Sequence, residues 1–137
     1  MQSEINVRWD EKMAFTAEVG KFKILLDAAE EVGGENKGPR PKPLLLVSLA
    51  GCTGMDVISI LEKMKVKLKS FNIKVVGDIN EEHPKKFNAI KIIYEFSGDN
   101  LNLEKLKKAV KLSEEKYCGV LATLRGSVKL DFEIKIL

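Results

Sequence analysis

The chain opens with three short runs in which apolar and polar residues alternate. Ile5, Val7 and Trp9 fall on one face and Asn6, Arg8 and Asp10 on the other, the period-two signature of a β-strand. Runs at Met13–Val19 and Phe22–Ala28 follow, with turn chemistry near Asp10–Lys12 and at Gly20 and Lys21. The economical reading is a meander of three strands. The stretch from Val32 to Pro43 is rich in Gly, Pro and Asn and reads as an ordered loop leading into a helix. Pro43 suits the first helical turn, where its missing N–H costs nothing.

From Leu44 to about Leu68 the pattern turns helical. It is apolar nearly all round until Leu61, then amphipathic with Lys63, Lys65, Lys67 and Lys69. A helix apolar on every side is expected to be buried on every side, which marks residues 44–61 as the hub of the fold or of a subunit interface. The same run is the one membrane candidate. Ser48, Thr53, Asp56 and Ser59 within it, and Glu62 and Lys63 after it, favour a core helix over a span. Beyond it, Phe71–Glu82 reads as a strand ending in a polar loop, and Phe87–Phe96 as a second strand. Asp99–Tyr117 is an amphipathic helix on which Leu103, Leu106, Val110 and Tyr117 can share a stripe. Gly119–Leu124 is a short apolar turn, and Ser127–Leu137 closes the chain as an alternating strand. The predicted order is βββ-α-ββ-α-β, an α+β class with antiparallel sheets around a long buried central helix, in one domain of residues 1–137.

Size and charge narrow the function classes. A chain of 137 residues builds an adequate core without disulfide staples. Its net charge of +3 comes from 23 basic and 20 acidic residues that are mixed along the chain, which argues against a nucleic-acid stripe. On the lysine-rich helix 101–117 the lysines alternate with Glu104, Glu114 and Glu115, as on a solvated face. The N-terminal residues lack a basic region followed by an apolar stretch, so a cytoplasmic protein with reduced thiols is expected.

The candidate chemistry rests on two cysteines. Cys52 stands in mid-helix, away from the N-terminal dipole, where an apolar setting is expected to raise its pKa. Cys118 follows the charged helix. Taken singly, each reads first as a small core residue. No C-x-x-C or Cys/His cluster is present, which excludes zinc and thioredoxin-type motifs, and neither a metal nor a cofactor is expected. The single histidine, His83, lies in a polar loop and reads as a solvated turn residue. Only three arginines occur, Arg8, Arg40 and Arg125. Arg8 lies on the strand face opposite Trp9, and Arg40 precedes the Cys52 helix.

The blocks around these cysteines are specific in combination. Residues 38–64, containing the run from Leu44 to Leu61 with Cys52, resemble the central-helix motif of the OsmC/Ohr family, the osmotically inducible and organic hydroperoxide resistance proteins. Residues 82–98 and 112–130 resemble the family's second and third blocks, in the right order, and the whole is closest to the OsmC-like branch. The resemblance implies an OsmC-like fold and an intertwined homodimer with the central helices buried between wrapped sheets. It also implies a thiol-dependent peroxidase of oxidative-stress defence that reduces organic hydroperoxides. Cys52 would be the peroxidatic thiolate, Cys118 the resolving thiol, and an external dithiol the reductant. Family members activate the reactive cysteine with an arginine held by a glutamate early in the central helix; here that position is Pro43. Arg8 is the first candidate activator, Arg40 the second, and Asp56 the possible arginine partner. The alternative is an OsmC-like protein without efficient peroxidase activity that binds a small apolar ligand or senses oxidants at the dimer cleft.

Overall fold

In the computed structural model, which describes residues 1–137, the chain separates into two compact units, residues 1–45 and 46–137. The first holds the predicted meander. Strands β1 (Asn6–Glu11), β2 (Ala14–Val19) and β3 (Phe22–Leu26) pair antiparallel in the order β1-β2-β3. Lys12 and Gly20 turn the two hairpins in left-handed conformations, φ 49° and 60°. Alternation places the strands as expected, but the chain itself leaves their apolar side chains largely uncovered. Trp9 is 62% and Phe22 67% exposed, whereas Ala14 and Ala17 are buried.

The Gly- and Pro-rich stretch is ordered by a single carboxylate. Asp27 is buried and accepts the backbone N–H groups of Ala28 (2.7 Å), Glu35 (3.2 Å) and Lys37 (3.2 Å). These donors, Ala28 foremost, hold its carboxyl below the usual aspartate range.

The division between units falls near the start of the long helix α1 (Pro41–Lys63), which begins two residues before Pro43 and so keeps that proline in its first turn. It also ends five residues short of Leu68, where Lys65 adopts φ 59°. Burial within the chain corrects the expectation of a helix covered on every side. The fully buried residues are Leu49, Thr53, Val57 and Leu61, one per turn at intervals of four. That stripe joins a core with Ile92, Tyr94 and Phe96 of one strand and Leu106 and Ala109 of the next helix. The opposite side of α1 remains open: Val47 is 63% and Met55 77% exposed.

The second sheet has the order β4-β5-β6, with β4 (Ser70–Ile79), β5 (Phe87–Ser97) and β6 (Lys129–Ile136). Strands β4 and β5 are antiparallel, but β6 joins β5 in parallel, from Ala89↔Lys129 to Phe96↔Ile136. This departs from the wholly antiparallel expectation. Residues 98–128 supply the long crossover that a parallel pair requires. Central in its sheet, β5 buries residues on both faces, including Phe87, Ile90, Ile92, Ile93, Tyr94 and Phe96.

That crossover carries more structure than expected. Helix α2 (Leu103–Leu112) is capped by Asn102, whose side chain accepts the N–H of Lys105. It passes into one π-helical turn (Ser113–Tyr117), and residues 119–124, expected to be a turn, form helix α3 (Gly119–Leu124). The wider π turn shifts the helical phase. Leu106, Ala109 and Val110 remain buried, but Tyr117 leaves the predicted stripe and is 52% exposed, as is Leu103 at 40%.

Candidate functional site

The π turn does two things at once. It turns Ser113 inward, fully buried, and its closing hydrogen bond runs from the Cys118 N–H to the Ser113 carbonyl at 2.8 Å. Cys118 then caps α3, its sulfur accepting the Leu121 N–H at 3.4 Å. On α1, Cys52 and Asp56 are separated by four residues and so share one helical flank. Together these placements bring the Cys52 Sγ, the Cys118 Sγ and an Asp56 carboxylate oxygen within 4.8 Å of one another. Both cysteines are free thiols.

The two thiols differ in environment. Cys52 is half-buried, whereas Cys118 is 2% exposed. Burial pushes the Cys118 thiol up to about 11, and the neighbouring Cys52 adds to the rise against the opposing effect of the Leu121 N–H. Cys118 is therefore protonated near neutrality. Cys52 is the more exposed of the two thiols.

Behind the thiols runs a buried chain of hydroxyls. Tyr94 and Thr53 lie 2.8 Å apart, Thr53 and Ser113 2.7 Å, and the Ser113 hydroxyl donates to the Asp56 Oδ2 at 2.9 Å. Since Ser113 gives its only proton to Asp56, Thr53 donates to Ser113 and Tyr94 to Thr53. Burial raises the Tyr94 phenol above its ordinary range, consistent with its role as terminal donor. The relay has one direction and ends on a carboxylate beside two sulfurs. A hollow of about 300 Å³ opens on the same carboxylate, lined by Asp56, Ile60, Lys63, Leu112 and Tyr117.

The sequence singled out Cys52, Asp56 and Cys118, and the fold assembles all three. Asp56 differs from its expected role: its hydrogen-bond partner is the Ser113 hydroxyl, and it forms no ion pair with an arginine. Arg8 and Arg40 stand in the first unit with partners there. Arg8 bonds Glu18 at 3.1 Å and lies 3.5 Å from Asp10, and Arg40 donates to the Gly38 carbonyl at 3.0 Å. In the second unit, Arg125 donates to the Glu114 carbonyl. His83 is exposed in the β4–β5 loop.

Sequence reasoning missed Tyr94, Thr53 and Ser113. A signal for two of them was present: Thr53 occupies a stripe position of α1, four residues from Leu49 and from Val57, and Ser113 ends the apolar side of α2. A hydroxyl placed among core positions must find a partner.

Comparison with known proteins agrees with this architecture. Residues 34–133 match the family described as OsmC-like protein. Protein YhfA of Escherichia coli (strain K12) is 29% identical over 134 residues, 97% of each chain. A hypothetical protein from Aquifex aeolicus VF5, solved by crystallography, superposes with a TM-score of 0.88 at 34% identity, covering 100% of this chain and 97% of that one. A Legionella pneumophila protein described as an organic hydroperoxide resistance protein OsmC shares the fold at 17% identity, with a TM-score of 0.70 over 98% and 97% of the two chains. With a family match across most of its length and an Aquifex relative aligned end to end, this chain belongs to the OsmC-like protein family.

Proposed function

We propose that this protein is a thiol-dependent peroxidase that reduces organic hydroperoxides, acting as a homodimer reset by an external dithiol. One observation carries the reading: two free thiols of unequal exposure and a carboxylate share a space 4.8 Å across. The half-buried Cys52 is the thiolate that attacks the terminal oxygen of the O–O bond. It becomes a sulfenic acid, and the departing alkoxide takes a proton to leave as an alcohol. Asp56, fixed by Ser113, accepts the Cys52 proton and is positioned to return it to that alkoxide. The Cys118 sulfur then displaces hydroxide from the Cys52 sulfenic acid. A disulfide forms, the thiol proton leaves with the hydroxide as water, and two thiols of the reductant restore both cysteines. Ile60, Leu112 and Tyr117 in the adjoining hollow favour an alkyl substituent over hydrogen peroxide.

The homodimer rests on the open side of α1, where Val47, Met55 and Ile58 border a broad apolar groove with Phe71 and Ile73. A second copy presenting the same face would cover its apolar residues, with Ser59, Glu62 and Asn72 also lining the groove. The raised Cys118 thiol and the lack of an arginine paired with Asp56 favour a second reading, in which the pair is oxidised once as a sensor and turns over slowly.

The deciding experiment treats reduced protein with one equivalent of tert-butyl hydroperoxide, counts free thiols and maps the disulfide. Rapid loss of both thiols, abolished by Cys52→Ser, is expected. Cys118→Ser should stop at a sulfenic acid that a dimedone probe captures. Disulfide formation without turnover on adding dithiol selects the sensor, and survival of both thiols in moderate excess of hydroperoxide removes both readings.

A further inference from the structure

The sequence offers no metal-spacing motif, but the fold builds a metal-ligand set from distant parts of the chain. Cys52 and Asp56 come from one flank of α1, and Cys118 comes from the junction of the π turn with α3. Two thiolates are the donors a thiophilic divalent cation prefers, and zinc also accepts a carboxylate oxygen. With metal–sulfur bonds of about 2.3 Å, the edge of a tetrahedral site is about 3.8 Å. With all donor atoms already within 4.8 Å of one another, the two sulfurs need to close by about 1 Å at most and the carboxylate oxygen by about 1.3 Å. Two of the three are held from behind. Ser113 occupies Asp56 Oδ2 and leaves Oδ1 free, and the Leu121 N–H fixes the Cys118 sulfur. Such outer partners are what orient metal ligands.

We propose that the reduced protein binds one zinc-type cation per chain through the Cys52 and Cys118 sulfurs and the Asp56 carboxylate, with the fourth position open. Binding releases the two thiol protons and makes both sulfurs thiolate ligands. Neither sulfur is then free to attack or to resolve, so the metal-bound form is protected from oxidation. Metal affinity and hydroperoxide reduction draw on the same residues, but binding does not depend on the peroxidase reading: a chain inert to hydroperoxides still binds the metal.

The test uses cadmium as a spectroscopic probe and zinc as competitor. Reduced full-length protein is titrated with cadmium under argon, and the ultraviolet thiolate-to-cadmium charge-transfer band is followed. The band should saturate at one cadmium per chain, zinc should displace it, and both thiols should resist alkylation at saturation. Cys52→Ser should reduce the band and weaken binding by at least about 100-fold. Asp56→Asn, which keeps the side-chain shape, should retain the band but weaken binding by at least about 10-fold, since loss of a direct ligand should cost no less than loss of an outer partner. No band at equimolar cadmium, or an affinity unchanged in both variants, overturns the proposal. Sedimentation of the loaded protein separates a site within one chain from cadmium cross-linking two chains; mass growth with cadmium also overturns it. Thiol loss to hydroperoxide in metal-free protein is scored separately, so each reading fails on its own evidence.

Discussion

The two sides of α1 are nearly identical in hydrophobicity and opposite in fate. Leu49, Val57 and Leu61 are fully buried against β5 and α2, whereas Val47, Met55 and Ile58 on the same helix are 63%, 77% and 45% exposed. Composition cannot separate the two sides, since both are apolar. What separates them is the intrachain partner: Leu49, Val57 and Leu61 join one core with residues of β5 and α2, whereas Val47, Met55 and Ile58 remain exposed. The uncovered side, with the groove bordering it, is the surface that the proposed homodimer fills. Cys52 stands between them, half-buried, beside a core residue and one helical step from Met55.

Truncation at the two sides should therefore differ most of all. Leu49→Ala removes a fully buried side chain from the core and should cost about 3 kcal/mol in urea denaturation. Met55→Ser, at a 77% exposed position, should change the stability of the separated chain by no more than about 0.5 kcal/mol. In the proposed homodimer the serine instead weakens association, seen as a shift to monomer in sedimentation. Equal costs at the two positions in dilute monomer would mean that the open side is packed within the chain.

The buried side also contains one polar position, and it should respond next most strongly. Thr53→Val keeps the shape but breaks the relay between Tyr94 and Ser113, leaving the buried phenol without its acceptor. An unsatisfied buried hydroxyl costs about 1–3 kcal/mol. Adding Tyr94→Phe should recover part of that loss, because no orphaned donor then remains. Were the double variant no better than Thr53→Val alone, the relay would carry no coupling and its direction would be irrelevant to stability.

Much of this was legible in the sequence, and the gaps follow a physical rule. Strand and helix periods reveal β1–β3, α1, β4 and β5 because alternation and helical apolar stripes are local signals. Direction is not local: the alternating run Lys129–Ile136 is the same whether β6 pairs parallel or antiparallel. Six residues of Gly119–Leu124 span fewer than two turns, too few for a period, so α3 reads as an apolar turn. Within the site, Cys52, Asp56 and Cys118 stood out by residue type and by resemblance. The Thr53 hydrogen bonds reach 41 and 60 positions along the chain, so no window of sequence contains them. The π turn that delivers Ser113 and Cys118 together has no apolar signature.

The smallest expected effect lies in that π turn, one residue from the relay, where the covered side of the comparison extends to a group that titrates. Glu114 is partly buried, and desolvation, with Glu115 adding to it and Arg125 opposing, raises its carboxyl from the ordinary 4.5 to about 7. Lys107, Lys111 and Glu133 border the same hollow of about 490 Å³. A carboxyl raised in the folded state binds its proton more tightly there than in the unfolded chain. Its contribution is therefore complete below pH 4.5 and is lost as pH rises through about 7. Solvent around the half-exposed group screens this to about 1 kcal/mol. Glu114→Gln should flatten the stability profile across that window and leave the variant about 1 kcal/mol more stable than the parent at alkaline pH. A parent profile that is already flat between pH 4.5 and 7 would place Glu114 with the solvated residues.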